Sequence, residues 1–94
     1  MFPQDKLNEI RGFLRTLFAD TDMLEWEDLA RVGWTFRLST REKTCMVTAS
    51  REFLTRRSAD EIQHTLTGSD LARYIHHHSV KHVTIMPNSL VIES

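Results

Sequence analysis

The sequence is poor in residues that cross-link a chain or interrupt its secondary structure: its 94 residues include one cysteine, two prolines and three glycines. It has no apolar run longer than three residues. A membrane-spanning helix needs roughly 20 apolar residues. The lone Cys45 excludes an internal disulfide and is typical of a reducing compartment. The first residues contain no basic segment followed by an apolar one, so no secretory signal is expected. We therefore expect a cytoplasmic protein that does not associate with membranes.

What is present is the composition of an ordinary folded domain. Hydrophobic residues make up 40% of the chain and charged residues 27%, which excludes the disordered and fibrous classes. A chain of this length holds one hydrophobic core, because two cores would each fall below the size that usually folds without disulfides or metal. We predict a single domain over residues 1–94.

An amphipathic helix is predicted near the start of the chain. Leu7, Ile10, Leu14 and Leu17 follow the spacing of three and four residues that places apolar side chains on one helical face. Acidic residues near its start and arginines near its end suit the helix dipole.

The following segment, residues 22–30, fits two structures. Asp22 and Glu25 have the spacing of a capping box, and apolar residues at helical intervals follow them. Leu24 and Trp26 also alternate with acidic residues, as in a strand. We predict a possible second helix here.

Beyond Gly33 the apolar residues change to a period of two, which is typical of strands with one buried face. Two such segments, joined by the polar residues 40–43, predict an antiparallel hairpin. Polar residues alternate with the apolar ones, so the outer face is expected to be polar. The inward-facing residues are Trp34, Phe36, Leu38, Cys45, Val47 and Ala49.

Two further helices and two strands are predicted in the second half of the chain. Ser58 and Glu61 form a capping box that begins a helix near Ala59. The apolar spacing changes phase around Gly68, so we predict that one helix ends there and that Ser69 caps a second one. Alternating apolar residues then predict two short strands separated by a turn. The predicted fold is α+β, a small two-layer sandwich whose antiparallel sheet of about four strands packs on helices, in the order α(α)ββααββ.

The charges are segregated along the chain, although the net charge is only −1. Residues 1–30 carry three basic and seven acidic groups, whereas residues 31–57 carry seven basic and two acidic ones. This local excess predicts either a surface for an anionic partner, such as RNA or DNA, or cations that pair with the acidic first 30 residues. The candidate residues for binding an anionic partner are Arg37, Arg41, Lys43, Arg51, Arg56 and Arg57.

Histidines form the most conspicuous cluster, at residues 76–78 and at His82. Imidazole is a common metal ligand. Adjacent residues of a helix point about 100° apart, however, so three in a row cannot converge on one ion. His78 and His82 have i, i+4 spacing and are the weak metal candidates. We expect no metal site and no cofactor, and we interpret the histidines as groups that complement a helix C-terminus.

The predicted order helix, strand, strand, helix, helix, strand is similar to that of type II KH domains, which bind RNA. In that family a GxxG loop between the central helices contacts the nucleic acid. Residues 67–71 of this chain are Thr-Gly-Ser-Asp-Leu and lack that loop. The resemblance implies an RNA- or DNA-binding module with a KH-like topology. We place the basic residues of the segment 31–57 on the predicted hairpin, and this cationic hairpin is the surface that such a module would use.

No catalytic constellation, phosphate-binding loop or dinucleotide motif is found in the sequence, so we expect no enzyme. Our first hypothesis is a small protein that binds another protein, as a regulator, inhibitor or adaptor. A terminal strand leaves a sheet edge, where a partner or a second copy can add a strand. The residues predicted for this edge are Leu90, Val91 and Ile92.

Overall fold

The computed structural model describes residues 2–18, 21–41, 43–77 and 79–94. Within these ranges the predicted α+β class is confirmed, because helices pack on one face of a single sheet. The elements, in chain order, are α1 (Gln4–Leu17), β1 (Asp22–Asp28), β2 (Gly33–Ser39), β3 (Thr44–Ser50), α2 (Arg51–Arg56), α3 (Ala59–Gly68), α4 (Leu71–His76), β4 (His82–Ile85) and β5 (Leu90–Glu93).

The sheet has five strands in the order β1-β2-β3-β4-β5. Neighbouring strands are antiparallel except β3 and β4, which are parallel. The predicted antiparallel sheet of about four strands therefore has one strand more than expected and includes one parallel pair. A parallel pair needs a long crossover, and the helices α2, α3 and α4 supply it.

The order of the elements roughly matches the prediction and differs from it at two places. The possible second helix is the strand β1, because its residues alternate in exposure up to Trp26 and pair with β2 along the whole strand. Sheet pairing commonly overrides such a weak helical preference. Residues 51–56, predicted on the hairpin, form α2, where Ser50 Oγ accepts a hydrogen bond from the Phe53 N–H. These two elements change the order on which the comparison with KH domains was based.

The predicted break between the last two helices is confirmed. Ser58 Oγ accepts from the Glu61 N–H at 3.2 Å, and Glu61 Oε1 accepts from the Ser58 N–H at 3.0 Å, which completes the capping box. The helix α3 ends at Gly68. The N-cap of α4 is Asp70 rather than the predicted Ser69, although Ser69 Oγ accepts a hydrogen bond from the Leu71 N–H at 3.3 Å. The two helices can therefore bury their apolar faces separately.

The core lies between the helices and the inward face of the sheet. Of the predicted inward-facing hairpin residues, Trp34 alone is only half-buried, and its ring packs edge-on against Phe2 with the centroids 5.6 Å apart. Burial raises the pKa of the Cys45 thiol, which keeps it protonated. The other inward-facing hairpin residues, all buried, are Phe36, Leu38, Cys45, Val47 and Ala49.

Among the described residues, no helix combines the length and the apolar character that a membrane span requires.

Gly33 lets β2 and β3 approach closely. A Cβ atom at this position would overlap the carbonyl oxygen of Ala49 and lie 3.1 Å from Ser50 Cα. We expect Gly33→Ala to lower the free energy of unfolding by about 1–3 kcal/mol, because the backbone of β3 has to move. Urea denaturation measures this loss. Gly12→Ala is the matched control: Gly12 is exposed in α1 and an added Cβ meets nothing within 4 Å. For Gly12→Ala we expect the free energy of unfolding to rise by about 0.5–1 kcal/mol. Equal losses for the two variants would contradict the close approach of the β2 and β3 backbones at Gly33.

Candidate functional site

The sheet face opposite the helices, which we call the open face, carries every second residue of each strand. Cross-strand pairing arranges these residues in rows that run across all five strands. The first row consists of Trp26, Thr35, Thr48, Thr84 and Val91, and the second of Leu24, Arg37, Met46, His82 and Glu93.

A chain of hydrogen bonds crosses the open face from β1 to β4, and we call it the polar chain. Thr35 Oγ1 lies 2.8 Å from Asp28 Oδ2 and 2.7 Å from Thr48 Oγ1. Thr48 Oγ1 in turn lies 2.7 Å from His82 Nε2. Both threonines are fully buried and His82 is 3% exposed, so these polar groups depend on one another for hydrogen bonds.

The carboxylate at one end fixes the direction of all three hydrogen bonds. The hydrogen bond from Thr35 lowers the pKa of Asp28, so the carboxylate is ionised and can only accept. Thr35 therefore donates to Asp28 and accepts from Thr48, whose own proton is used in that bond. Thr48 must then accept from His82, which makes His82 the neutral tautomer with its proton on Nε2 and a lone pair on Nδ1.

His82 Nδ1 is buried, and no described residue lies within hydrogen-bond distance of it. Burial lowers the pKa of His82, and the charge of Arg31 acts in the same direction. Glu93 and Asp28 act in the opposite direction. The ring is therefore held neutral with one unpaired acceptor, an arrangement that costs about 1–3 kcal/mol in a protein interior.

Arg31 lies in the β1–β2 turn (residues 29–32) and reaches across the open face to β5. Its Nη1 lies 2.9 Å from Glu93 Oε1 and its Nη2 lies 3.5 Å from Glu93 Oε2. The Arg31 N–H also donates to Asp28 Oδ1 at 3.1 Å. We call the Arg31–Glu93 pair the strap, because it connects the turn to the strand beside His82. The hydrogen bond from Arg31 lowers the pKa of Glu93, so both partners are charged.

Large apolar side chains are exposed at the β1 side of the open face. Leu24 is 55% exposed and Trp26 38%, and in the turn Leu29 is 78% exposed and Val32 54%. We call these four residues the apolar edge. Single exposed apolar residues are common, but four of the five large apolar side chains that are exposed among the described residues fall within residues 24–32, which makes this segment a candidate surface for binding another molecule.

The backbone of Val32 is strained. Its φ is 52°, which lies in the left-handed region that a β-branched residue adopts at a cost of about 1–2 kcal/mol. Its carbonyl oxygen accepts a hydrogen bond from the Arg51 N–H at 3.0 Å. Strain of this kind is concentrated at functional sites, and here it accompanies an exposed apolar side chain.

Three of the predicted anion-binding cations lie near the β2–β3 connection. Arg37 is exposed on the open face, and Arg41 is exposed beyond the end of β2. Lys43 Nζ donates to the carbonyl oxygens of His77 and Val80. Its ammonium group is thus bound to the backbone that leads into β4.

The other three cations belong to α2 and its C-cap rather than to the hairpin. They follow the opposite end of β3, about 20 Å from Arg41 and Lys43 at 3.3 Å per residue. The Arg51 guanidinium lies 5.7 Å from the centroid of the Phe2 ring, and Arg57 pairs with Glu61, which is outside the acidic first 30 residues. The structure does not bring the six cations together, and nucleic-acid binding by them stays a prediction.

The predicted edge strand β5 is one of the two sheet edges. On it Val91 is 45% exposed, whereas Leu90 and Ile92 are half-buried against the core. The other edge is the longer strand β1, which sequence analysis assigned to a possible helix. The alternation of Leu24 and Trp26 was the signal that could have identified it.

Of the two predicted metal candidates, the structure describes only His82. His78 lies outside the described residues, and His82 Nε2 is hydrogen-bonded to Thr48. In the parts of the chain that the structure describes, no group of three histidine, cysteine or acidic side chains is placed to hold a metal ion. The ring centroid of His76, in the last turn of α4, lies 4.8 Å from the ring centroid of Phe18.

Thr48→Val tests the polar chain, because it keeps the side-chain shape and removes the hydroxyl between Thr35 and His82. The buried His82 Nε2–H then has no acceptor. We expect the free energy of unfolding to fall by about 1–3 kcal/mol, measured by urea denaturation at about pH 8, where histidine is neutral. Thr44→Val changes an exposed residue on the same face of β3 and is expected to stay within about 0.5 kcal/mol of the wild type. Similar values for the two variants would show that the polar chain does not stabilise the fold.

Comparison with protein-family models, with curated proteins and with solved structures finds no match to this chain. The residues of the open face are therefore the basis from which a function can be inferred. They combine a buried polar centre with an exposed apolar edge.

Proposed function

We propose that this chain is a small protein-binding module in which β1 accepts an extended segment of a partner protein as an additional strand. The observation that carries the proposal is the exposure of the apolar edge along β1 and its turn. Strand addition provides affinity through main-chain hydrogen bonds and specificity through alternate side chains. A module of this kind acts as a regulator or adaptor, because it holds a segment without changing it chemically.

The strand β1 has an edge that is open to such pairing. It is seven residues long, contains neither proline nor lysine, and pairs with β2 in continuous register without a bulge. Proline, bulges, short length and charged side chains are the usual means by which proteins protect an edge, and of these β1 has only its four acidic residues. The opposite edge, β5, has four residues, and the strap lies at its end.

The charges of β1 indicate the chemistry of the partner. Four of its seven residues are acidic and none is basic. Arg11 compensates Glu25: its Nε lies 2.7 Å from Glu25 Oε2, and this interaction lowers the pKa of the carboxyl. Asp22 and Glu27 are exposed. We infer a partner segment that alternates apolar residues, which contact Leu24 and Trp26, with basic residues, which face the acidic side chains.

A peptide of about eight residues that alternates valine and lysine tests this proposal, because eight residues cover the length of an ordinary strand. We expect NMR shift changes at the amides of β1 on titration. A peptide that alternates valine and glutamate has the same apolar pattern with the opposite charge, and we expect it to bind at least about tenfold more weakly.

Trp26→Thr should weaken binding of the valine–lysine peptide by about tenfold or more, because aromatic residues dominate most interfaces. Val91→Thr, at the opposite edge of the sheet, is the matched control and should bind as the wild type does. Equal binding of both peptides, shift changes centred on Arg37 and Arg41, or no binding at millimolar peptide would each contradict the proposal.

A further inference from the structure

We propose that the polar chain and the strap form a proton-operated latch: protonation of His82 at Nδ1 transfers Glu93 from Arg31 to His82 and thereby releases the β1–β2 turn. This inference goes beyond the proposed function, because it concerns the chain alone and requires no partner. It depends on three features: the unpaired Nδ1 of His82, the position of Glu93 opposite His82 in the β4–β5 pair, and the strained backbone of the β1–β2 turn.

The polar chain determines where an additional proton can bind. His82 Nε2 already carries a proton that it donates to Thr48, and Thr48 has no other proton to exchange, because its own is donated to Thr35. The added proton therefore binds at Nδ1, which has no partner among the described residues. The ring then becomes a buried cation with a second N–H donor, and such a group requires an acceptor.

Glu93 is the acceptor placed to meet that need. It is the direct cross-strand partner of His82 in the antiparallel β4–β5 pair, on the same face of the sheet. The Cβ atoms of such pairs lie about 4.5–5.5 Å apart, so a rotation of the Glu93 side chain brings its carboxylate to the imidazole. The side chain is 47% exposed, which leaves room for this rotation.

The two states of the latch differ in which cation Glu93 neutralises. With His82 neutral, Nδ1 offers only a lone pair and cannot attract a carboxylate, so Glu93 pairs with Arg31. With His82 charged, Arg31 and the imidazolium repel each other, and the buried cation has the stronger need for a counter-charge.

The charged groups around His82 come from several elements. Arg31 in the turn opposes protonation, whereas Glu93 on β5 and Asp28 on β1 favour it. The strand β3 presents Met46 and Thr48 to His82, which carry no charge, and the helices pack on the other face of the sheet. Two cations lie farther from the His82 ring. Arg37 is in the same cross-strand row, and Lys81 precedes His82 in the chain.

Release of the strap affects the turn because the turn is strained. Arg31 is held at Asp28 and at Glu93, and the next residue, Val32, has a φ of 52°. Loss of the contact with Glu93 removes one of the restraints that maintain this conformation, so the strain can relax. We expect the hydrogen bond from the Arg51 N–H to the Val32 carbonyl to open more often in the acid state.

The sign of the pH effect follows from the burial of His82. In the unfolded chain His82 takes up its proton around its ordinary pKa of 6.5, whereas burial lowers this pKa in the folded protein. The unfolded state therefore binds more protons below pH 6.5, and the free energy of unfolding falls as the pH falls through that range.

NMR on the full chain between about pH 8 and pH 5 spans the titration range of histidine and tests the latch. The ring nitrogen shifts of His82 should show protonation at Nδ1 with Nε2–H retained. Over the same pH range the hydrogen-exchange protection of the Arg51 amide should fall by about tenfold or more, as for local opening. Protonation without loss of this protection, or loss of the Nε2–H bond to Thr48, would overturn the proposal.

Two variants separate the latch from general acid destabilisation. Glu93→Gln removes the exposed carboxylate, so the Arg51 amide should be weakly protected at every pH and should lose its pH response. His82→Gln retains a hydrogen-bond donor for Thr48 but cannot titrate. The hydrogen-exchange protection of the Arg51 amide should therefore stay high at low pH. His64→Gln, at an exposed histidine of α3, is the matched control and should respond as the wild type does. A wild-type response in Glu93→Gln would overturn the proposal even if His82→Gln fails to fold.

Discussion

Three hydrogen bonds between side chains hold the open face of this sheet together. The helices of the described ranges pack on the other face, yet Thr35, Thr48 and His82 are buried on this one. Their burial is tolerable because each hydroxyl and the Nε2–H have a partner, and the series ends on a charged carboxylate. One ionised group, Asp28, thereby sets the proton positions across four strands. The tautomer of the histidine, and with it the position of its free lone pair, follows from that group alone.

The open face differs from an ordinary interface in where its apolar residues lie. Protein interfaces usually have an apolar centre and a polar rim. Here the centre is polar, and its two threonine hydroxyls and the His82 Nε2–H are hydrogen-bonded within the polar chain. The strap lies beside it, so a partner docked flat over the centre would have to displace Arg31 from Glu93. The apolar residues lie instead along β1 and its turn, where a partner can contact Leu24 and Trp26 without disturbing the polar chain. This placement favours addition of a strand over face-to-face docking.

Local patterns in the sequence predicted the elements whose boundaries depend on local chemistry. The helix α1, the β2–β3 hairpin, the capping box at Ser58 and the break at Gly68 belong to this group. The strand β1 was not predicted, because its capping-box spacing competed with its alternation and only pairing with β2 decides between them. The parallel β3–β4 pair and the polar chain also cannot be predicted from local patterns, because both join residues that are distant in the chain. Thr35 and Thr48 alternate like solvent-facing residues, and their burial results from contacts with His82, which lies more than thirty positions from Thr48 in the chain.

Binding at β1 and protonation of His82 involve connected parts of the molecule, since Asp28 ends β1 and also ends the polar chain. By the proposed latch, the strap helps to hold the turn in the conformation that presents Leu29 and Val32 to a partner. A partner that contacts these two residues therefore binds better to the neutral state of His82 than to the protonated one. Thermodynamic linkage makes this preference reciprocal, so the bound partner lowers the proton affinity of His82 by the same factor. A tenfold preference corresponds to about 1.4 kcal/mol and moves the protonation of His82 by about one pH unit. Acidification would then weaken the binding of the partner by changing the conformation of the turn that carries Leu29 and Val32.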